Sequence, residues 1–213
     1  LGDVYKRQEL YYVIALCEVT DNGFDTITFG DVYWGGKKCN FASSTSPNVV
    51  SLTDESTGET QTAVNGKLQI YMYHNGSYNP VRGDATAIQI MQTSGLIYKW
   101  DSTKLMTNTA FAIVHITYNA DAGLTGIQQT KFNVTNSRYA PGDCFYDYLT
   151  STTYGAALDP SQIDTTSLTA LNAYCGQSFT YINSSGGSST QARFRFDGVL
   201  SMNKSIMDNL QDM

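Results

Sequence analysis

The chain is poor in charged residues, in proline and in histidine. Only 15% of its 213 residues are charged, 4 are proline and 2 are histidine, whereas 41% are hydrophobic. Such an apolar content excludes a disordered chain and predicts a packed core. The excess of acidic over basic residues gives a net charge of -6, which leaves no basic surface for nucleic acid or for an acidic membrane. We therefore expect no nucleic acid partner.

Long apolar runs and clustered metal ligands are also missing. No uninterrupted apolar stretch approaches the roughly 18 residues that a membrane-spanning helix requires, so no such segment is expected. The cysteines stand too far apart for a zinc knuckle, and only His74 and His115 could help them. We expect four reduced thiols that pack as small hydrophobic side chains. They are Cys17, Cys39, Cys144 and Cys175.

The sequence shows no recognisable catalytic arrangement. Neither histidine stands beside a serine or cysteine nucleophile in a known turn motif, which leaves a Ser-His-Asp triad unsupported. Nearly all carboxylates fall at predicted turns or helix ends, where water solvates them. The sequence thus predicts no catalytic, cofactor-binding or metal-binding residue and no cofactor, and it favours a protein that is not an enzyme.

What the chain does have is typical of strands joined by turns. It contains 15 Tyr and 9 Phe together with many Thr, Ser, Asn and Gly residues. The pattern predicts an α+β fold, mainly β, of antiparallel strands and hairpins with a C-terminal helix-helix-strand-helix unit. Residues 9–19 are apolar on both faces of a strand and should lie inside a sheet. The turn Asp21-Asn22-Gly23 should join them to a strand at 24–29 as a hairpin.

Further elements follow from local patterns. Asn65-Gly66 is typical of a two-residue hairpin turn between neighbouring strands. In Arg82-Gly83-Asp84 we expect a turn and an N-cap before a short helix that Gly95 ends. The strand at 109–118 should pair with 127–135, and a domain boundary is expected near residues 139–141. The other predicted elements are strands at 49–53, 61–64 and 68–74 and the short helix at 84–92.

The last third of the chain alternates helix, strand and helix patterns. Pro141 and Asp143 favour a helix that begins there and ends at Gly155. Asp164 or Thr165 should cap a second helix, which buries one face and ends at a left-handed Gly176. The predicted buried face holds Leu168, Leu171, Tyr174 and Cys175. A flexible loop at 183–190, a strand at 191–200 and a helix at 201–213 should follow.

Several phrases in this region resemble a known family. They are LTSTTYG at 149–155, Tyr174-Cys175 at the end of the second helix, and RFRFDGVL at 193–200. Two earlier blocks fit in the same order: AFAIVHITY at 110–118 with Gly126-Ile127 and TKFNV at 130–134, and YYVIALCE at 11–18 with FDTI at 24–27. Together they resemble the host-specificity or tip attachment protein, protein J, of long-tailed phages.

The resemblance implies a structural part of a virion. A member of this family would be a subunit of the hub at the tail tip, would assemble as a homotrimer with other tail proteins, and would close the tail tube. Receptor contact in the family belongs to more distal C-terminal domains. The expected location is the tail tip, after assembly in the host cytoplasm.

The expected organisation has three parts. Residues 1–8 look like a translated sequencing-adapter scar, and residues 9–139 form a β-rich hub domain with an insertion near 35–84. Residues 140–213 form an α+β hub segment, whose last apolar face of Ile206, Met207 and Leu210 reads as a helix cut short.

Two other classes of function stay open. Tyrosine-rich β proteins include carbohydrate-binding modules and surface adhesins, in which exposed aromatic rings stack on sugars. The strand tyrosines are expected instead to pack across strands. These are Tyr11, Tyr12, Tyr71 and Tyr73. A glycoside hydrolase that acts through two carboxylates is the third class.

Overall fold

The computed structural model describes residues 8–19, 26–78, 80–93, 95–96, 99–201 and 203–213. The chain divides into two compact units, Leu1–Ser137 and Arg138–Met213. Their boundary falls just before the predicted region at 139–141. The described residues form 11 strands, all paired antiparallel, and four α-helices. The predicted α+β, mainly β, class is therefore confirmed.

The first unit contains two antiparallel sheets. One has the strand order β1-β8-β6-β7 and the other the order β5-β4-β3-β2-β9. The elements are β1 (Glu9–Glu18), β2 (Ile27–Trp34), β3 (Lys37–Phe41), β4 (Val49–Thr53), β5 (Thr60–Gln61), β6 (Leu68–Tyr73), β7 (Pro80–Arg82), α1 (Ala87–Met91), β8 (Thr109–Thr117) and β9 (Thr130–Asn136).

The two sheets share one buried core. Ile70 and Val114 of the first sheet pack in the same cluster as Val32, Trp34 and Leu52 of the second. The opposite face of the first sheet is covered by α1, where Ile90 packs with the β6 and β8 side chains. Because β8 is covered on both faces, six of its nine residues are buried and none is exposed, as in the centre of a layered domain.

The strand prediction for residues 9–19 is correct, but its position is not. β1 lies at the edge of its sheet and pairs with β8 alone among the described residues. Its two faces are both apolar because Tyr12 and Ile14 face the shared core while Tyr11 and Val13 face the α1 side. Because both faces of β1 are covered, both are apolar even though the strand lies at the edge of its sheet.

The predicted hairpins are wrong. β1 and β2 belong to different sheets, as do β8 and β9, and β9 pairs with β2. The predicted turn at 21–23 lies outside the described residues. Asn65 and Gly66 do form a turn, in which Lys67 N bonds Val64 O at 2.9 Å, but it leads from β5 of one sheet to β6 of the other. Turn residues therefore predict where the chain reverses. They do not predict which strands pair, because that depends on how the two sheets pack.

The short helix begins later than predicted. Thr86, and not Asp84, caps α1: its hydroxyl accepts a bond from Gln89 N, and the Gln89 side chain accepts one from Thr86 N. This reciprocal capping box satisfies two donors at once and so determines the helix start. The helix ends at Met91 with Gln92 as its C-cap, before Gly95.

The second unit is a set of helices with one hairpin. It comprises α2 (Pro141–Thr150), a 3-10 turn (Pro160–Gln162), α3 (Thr165–Cys175), β10 (Ser178–Ile182), β11 (Ser188–Ala192) and α4 (Ile206–Asp212). The predicted cap at Asp164 is confirmed, since its carboxylate accepts bonds from the backbone of Thr166 and Ser167. Gly176 is right-handed at φ -74°, so the left-handed end predicted for α3 is wrong.

Other boundaries in this unit also differ from the predictions. α2 ends at Thr150, well before Gly155. The predicted strand at 191–200 is displaced to 188–192, where it pairs with β10, and the predicted loop at 183–190 is the hairpin turn and part of β11. The unit is therefore helix, helix, hairpin, helix.

Two further observations concern the whole chain. None of the helices in the described residues has the length and apolar character needed to cross a bilayer. Most of the segment interpreted as an adapter scar, residues 1–7, lies outside the described residues, but the Gln8 carbonyl accepts a bond from Tyr118 N at 2.8 Å. Gln8 therefore contributes to the fold, contrary to the expectation for residues 1–8.

Candidate interaction surface

The second unit exposes large apolar side chains and buries few. The buried apolar side chains that the structure describes there are Pro141, Cys144, Tyr148 and Cys175. Val199 is 97% exposed and Ile182 is 71% exposed. Exposed apolar area of this kind is typical of surfaces that contact another molecule.

Three residues quoted in the phage resemblance meet on this surface and form what we call the Tyr174 cluster: Tyr174, Arg193 and Phe194. The rings of Tyr174 and Phe194 lie 6.3 Å apart at an interplanar angle of 27°. The Arg193 guanidinium carbon lies 4.8 Å from the Tyr174 ring centre, and its Nη1 donates to the Tyr174 hydroxyl at 3.2 Å. The cluster combines an aromatic platform with a cation.

Backbone hydrogen bonds place the Tyr174 cluster. The chain reverses through β10 and β11, after which Arg193 N bonds Gln177 O at 2.9 Å and Phe194 N bonds Cys175 O at 3.1 Å. These bonds lay the segment after β11 along the last turn of α3. Tyr174 and Phe194 are both about half exposed as a result, so the predicted burial of Tyr174 on the helix face is wrong.

A second arginine and aromatic pair follows along the same segment. The Arg195 guanidinium lies 4.5 Å from the Tyr139 ring centre, and its Nη2 lies 3.3 Å from a carboxylate oxygen of Asp197. Phe196 N bonds Tyr139 O at 2.9 Å and holds this pair in place. Exposed tyrosine and arginine are the residue types that contribute most to protein interfaces.

The hairpin adds aromatic side chains that sequence reasoning missed. Phe179 and Tyr181 are two residues apart and lie on the same face of β10. Their ring centres are 6.2 Å apart, and both side chains are exposed. The sequence does contain the pattern of a hairpin. SFTYI has the aromatic and β-branched residues of a strand, and Asn183 with Gly186-Gly187 supplies a turn. Asn183 Oδ1 accepts bonds from Ser185 N and Gly187 N in that turn.

The LTSTTYG phrase has a structural role inside the unit. The Tyr154 hydroxyl donates to Asp147 at 2.6 Å, and Arg138 forms an ion pair with the other oxygen of that carboxylate. Gly155 packs so closely that a Cβ atom there would overlap the carbonyl oxygen of Tyr148. The phrase therefore fixes the chain against α2, while Thr152 and Thr153 within it are exposed.

The last helix is held by one buried polar side chain. Asn209 donates to the Tyr148 hydroxyl at 2.9 Å and to Ser201 O at 3.0 Å, and its oxygen accepts from Ser201 N. Ile206 and Met207 are exposed on the same helix, as expected for its apolar face. Leu210 is only half-buried. The helix is thus docked through Asn209 and offers part of its apolar face outward.

Two of the four strand tyrosines, Tyr11 and Tyr73, pack across strands as predicted. Tyr11 stacks on His115 of the neighbouring strand with ring centres 4.1 Å apart, and Tyr73 stacks on Phe111 at 4.7 Å. Tyr12 lies against Trp34, and Tyr71 packs in the cluster beneath α1. Burial raises the pKa of Tyr11 to about 12. Tyr73 belongs to the core, and Tyr11, Tyr12 and Tyr71 are partly buried and pack against it.

His115 lies in β8 among polar and aromatic side chains of its neighbouring strands. Its Nε2 lies 3.5 Å from Glu9 and its Nδ1 lies 3.3 Å from the Gln69 side chain. Burial lowers the pKa of His115, against the smaller opposing effect of Glu9. The side chains that the structure places against His115 are those of Glu9, Gln69 and Tyr11.

The cysteines lie where the sequence placed them. Cys17 is in β1, and Cys144 and Cys175 are in helices. Burial raises the pKa of the Cys39 thiol to about 12 and also raises the pKa of Cys17. Within the residues that the structure describes, no three His, Cys, Asp or Glu side chains come together to hold a metal ion.

Surface cavities of the first unit include two beside its described strands. One of about 350 Å³ lies at the start of β1, and one of about 260 Å³ lies beside the β6–β7 turn near Tyr78. The first is lined by Gln8, Glu9, Leu10, Ile116, Tyr118, Leu124, Thr125 and Gly126.

Comparison of the chain with protein-family models, with curated proteins and with solved structures gives no match.

Proposed function

We propose that this chain is a structural subunit of a phage tail tip hub, where it supports host attachment and closure of the tail tube. It would act in the virion as a homotrimer with other tail proteins, with receptor contact made by other domains. In this role it has no catalytic residue.

The observation that carries the proposal is the exposed surface of the second unit. Tyr174, Arg193 and Phe194, which belong to the family-like phrases, project from it, while few apolar side chains are buried beneath. A unit with so small a core gains stability when another subunit covers its apolar surface. Resemblance in the sequence and exposure in the structure thus favour the same role.

The test is the association state of the purified chain. Sedimentation velocity over a range of concentrations should show self-association, and the chain with the rest of the hub should form a closed three-fold assembly. Replacing Tyr174 and Phe194 with serine should weaken association by about tenfold or more, as for central aromatic residues of interfaces. Ile127→Ser is the matched control, because Ile127 is 61% exposed but lies in the first unit.

The identity of the neighbouring genes gives an independent test. Tail tape-measure and tail-assembly reading frames beside the coding sequence would support the hub. A highly soluble monomer that cleaves a glycan would contradict it.

One observation favours a second candidate, a carbohydrate-binding module. The paired rings of Tyr174 and Phe194 with Arg193 beside them form a platform on which a sugar ring could stack. Glycan-array binding that is lost in the Tyr174→Ser variant, with a monomeric chain, would favour this function over the hub.

A further inference from the structure

β1 is the longest edge strand in the described part of the first unit, and the features that could block further pairing are confined to a bulge between Ala15 and Cys17 and to the glutamates at its two ends. Edge strands are normally protected by shortness, proline, lysine or a β-bulge. β5 has two residues, β7 begins with Pro80, and β9 carries the exposed Lys131. β1 has ten residues, and those at 10–17 include no charge, proline or glycine. Its edge is therefore suited to receive another strand.

One side of β1 is occupied by β8. The pairing runs from Glu9 opposite Thr117 to Glu18 opposite Thr109, with a bulge between Ala15 and Cys17. In an antiparallel edge strand, the amide and carbonyl groups that do not bond this neighbour point away from the sheet. No second strand pairs with β1 among the described residues, so these groups form a template for strand addition.

The cavity at the start of β1 adds a pocket for a side chain. Leu10, Ile116 and Leu124 line it, whereas the Glu9 carboxylate lies on the other face of β1, beside His115. In strand addition the main chain supplies affinity and such pockets supply specificity. An apolar side chain of an incoming strand matches this lining, and a lysine or arginine at the neighbouring position of that strand would point to the opposite face, where the Glu9 carboxylate lies.

Glu9 is available to an incoming cation. Its side chain is 49% exposed, and its ion-pair partner among the described residues is His115, at 3.5 Å. Because burial lowers the pKa of His115, that ring is neutral at neutral pH and leaves the carboxylate without a permanent counter-charge.

Charge also disfavours a second copy of this chain as the occupant. Two β1 strands paired antiparallel over their full length would place Glu9 opposite Glu18 at both ends. Like charges directly opposite each other destabilise a strand pair, and the whole chain already carries a net charge of -6. A basic strand from another protein fits better.

We propose that the β1 edge and its adjoining cavity bind an extended segment of another protein by strand addition, with a lysine or arginine side chain of that segment beside Glu9. This inference does not depend on the phage assignment, because it uses only the first unit.

The experiment is a titration of the full chain with fluorescent peptides of about ten residues, the length of β1. The probe alternates valine and threonine and carries lysine near one end. One control replaces this lysine with glutamate, and another methylates alternate backbone amides. The lysine peptide should bind and should slow hydrogen exchange in residues 10–16, the glutamate peptide should bind about tenfold more weakly, and the methylated peptide should not bind.

A charge-reversing substitution at Glu9 distinguishes loss of a specific contact with that residue from misfolding of the variant. Glu9→Lys should prefer the glutamate peptide, whereas the matched Glu18→Gln should keep the original preference for lysine. Equal losses for both peptides in Glu9→Lys, or binding unaffected by methylation, would overturn the proposal. So would failure of every peptide to bind at about 1 mM. Concentration-dependent protection of residues 10–16 in the chain alone would assign the edge to a second copy.

Discussion

At the scale of single residues, glycines with no room for a Cβ atom are the most sensitive positions in the second unit. We predict that Gly155→Ala lowers the free energy of unfolding by about 2 kcal/mol or more, because its methyl group would overlap the Tyr148 carbonyl and force the chain away from α2. Urea denaturation measures this change. Gly126→Ala is the control, because a Cβ atom there meets nothing within 4 Å. Equal effects of the two substitutions would contradict the close packing described for the LTSTTYG phrase.

The thiols give a second prediction at this scale. Titration of the denatured chain without reductant should find all four cysteine thiols. In the folded chain at about pH 8, Cys39 should resist alkylation, because its buried thiol, with a pKa raised to about 12, forms almost no thiolate. Mass spectrometry after labelling identifies the modified residues. A count of two thiols in the denatured chain would show a disulfide and refute the expectation.

At the scale of elements, the local sequence predicts the positions of helices and strands better than it predicts which strands pair. The Asp164 cap and the strand at Val49–Thr53 were recognised because capping and strand propensity are local properties. Strand partners were not, because β2 and β9 pair from opposite ends of the first unit. The Tyr174 cluster shows the same limit. Its residues were recognised individually, but they meet only because an unpredicted hairpin reverses the chain.

The β1–β8 pair should make stability depend on pH. Burial lowers the pKa of His115 in the folded chain, so the unfolded chain takes up a proton more readily. The contribution of His115 is therefore present above about pH 6.5 and is lost as the pH falls through the lower folded pKa. The groups that face the ring are Glu9 and Tyr11 of β1 and Gln69 of β6.

Substitution of the histidine tests this pH dependence. The free energy of unfolding, measured by urea denaturation between about pH 7.5 and pH 5, should fall less in His115→Gln than in the unchanged chain. His74→Gln is the matched control and should keep the full dependence. If both variants behave alike, the pH dependence arises elsewhere.

At the scale of the whole molecule, the two units should differ in stability. The first unit has a shared core between two sheets and a second cluster beneath α1, whereas the second unit buries few apolar side chains. Burial of apolar surface is the main favourable contribution to folding, so the second unit should unfold first. An intermediate with only the first unit folded is expected.

Tryptophan fluorescence reports on the first unit, and helical circular dichroism reports mainly on the second. Both tryptophans, Trp34 and Trp100, lie in the first unit, while α2, α3 and α4 lie in the second. We predict that helical circular dichroism is lost at lower urea than tryptophan fluorescence changes, which two-state unfolding does not allow. Higher protein concentration should move the first transition to higher urea and leave the second in place, because association stabilises only the unit whose surface it covers. Coincident transitions that do not depend on concentration would show one cooperative molecule, and a second unit that is stable without a partner would remove the structural argument for assembly.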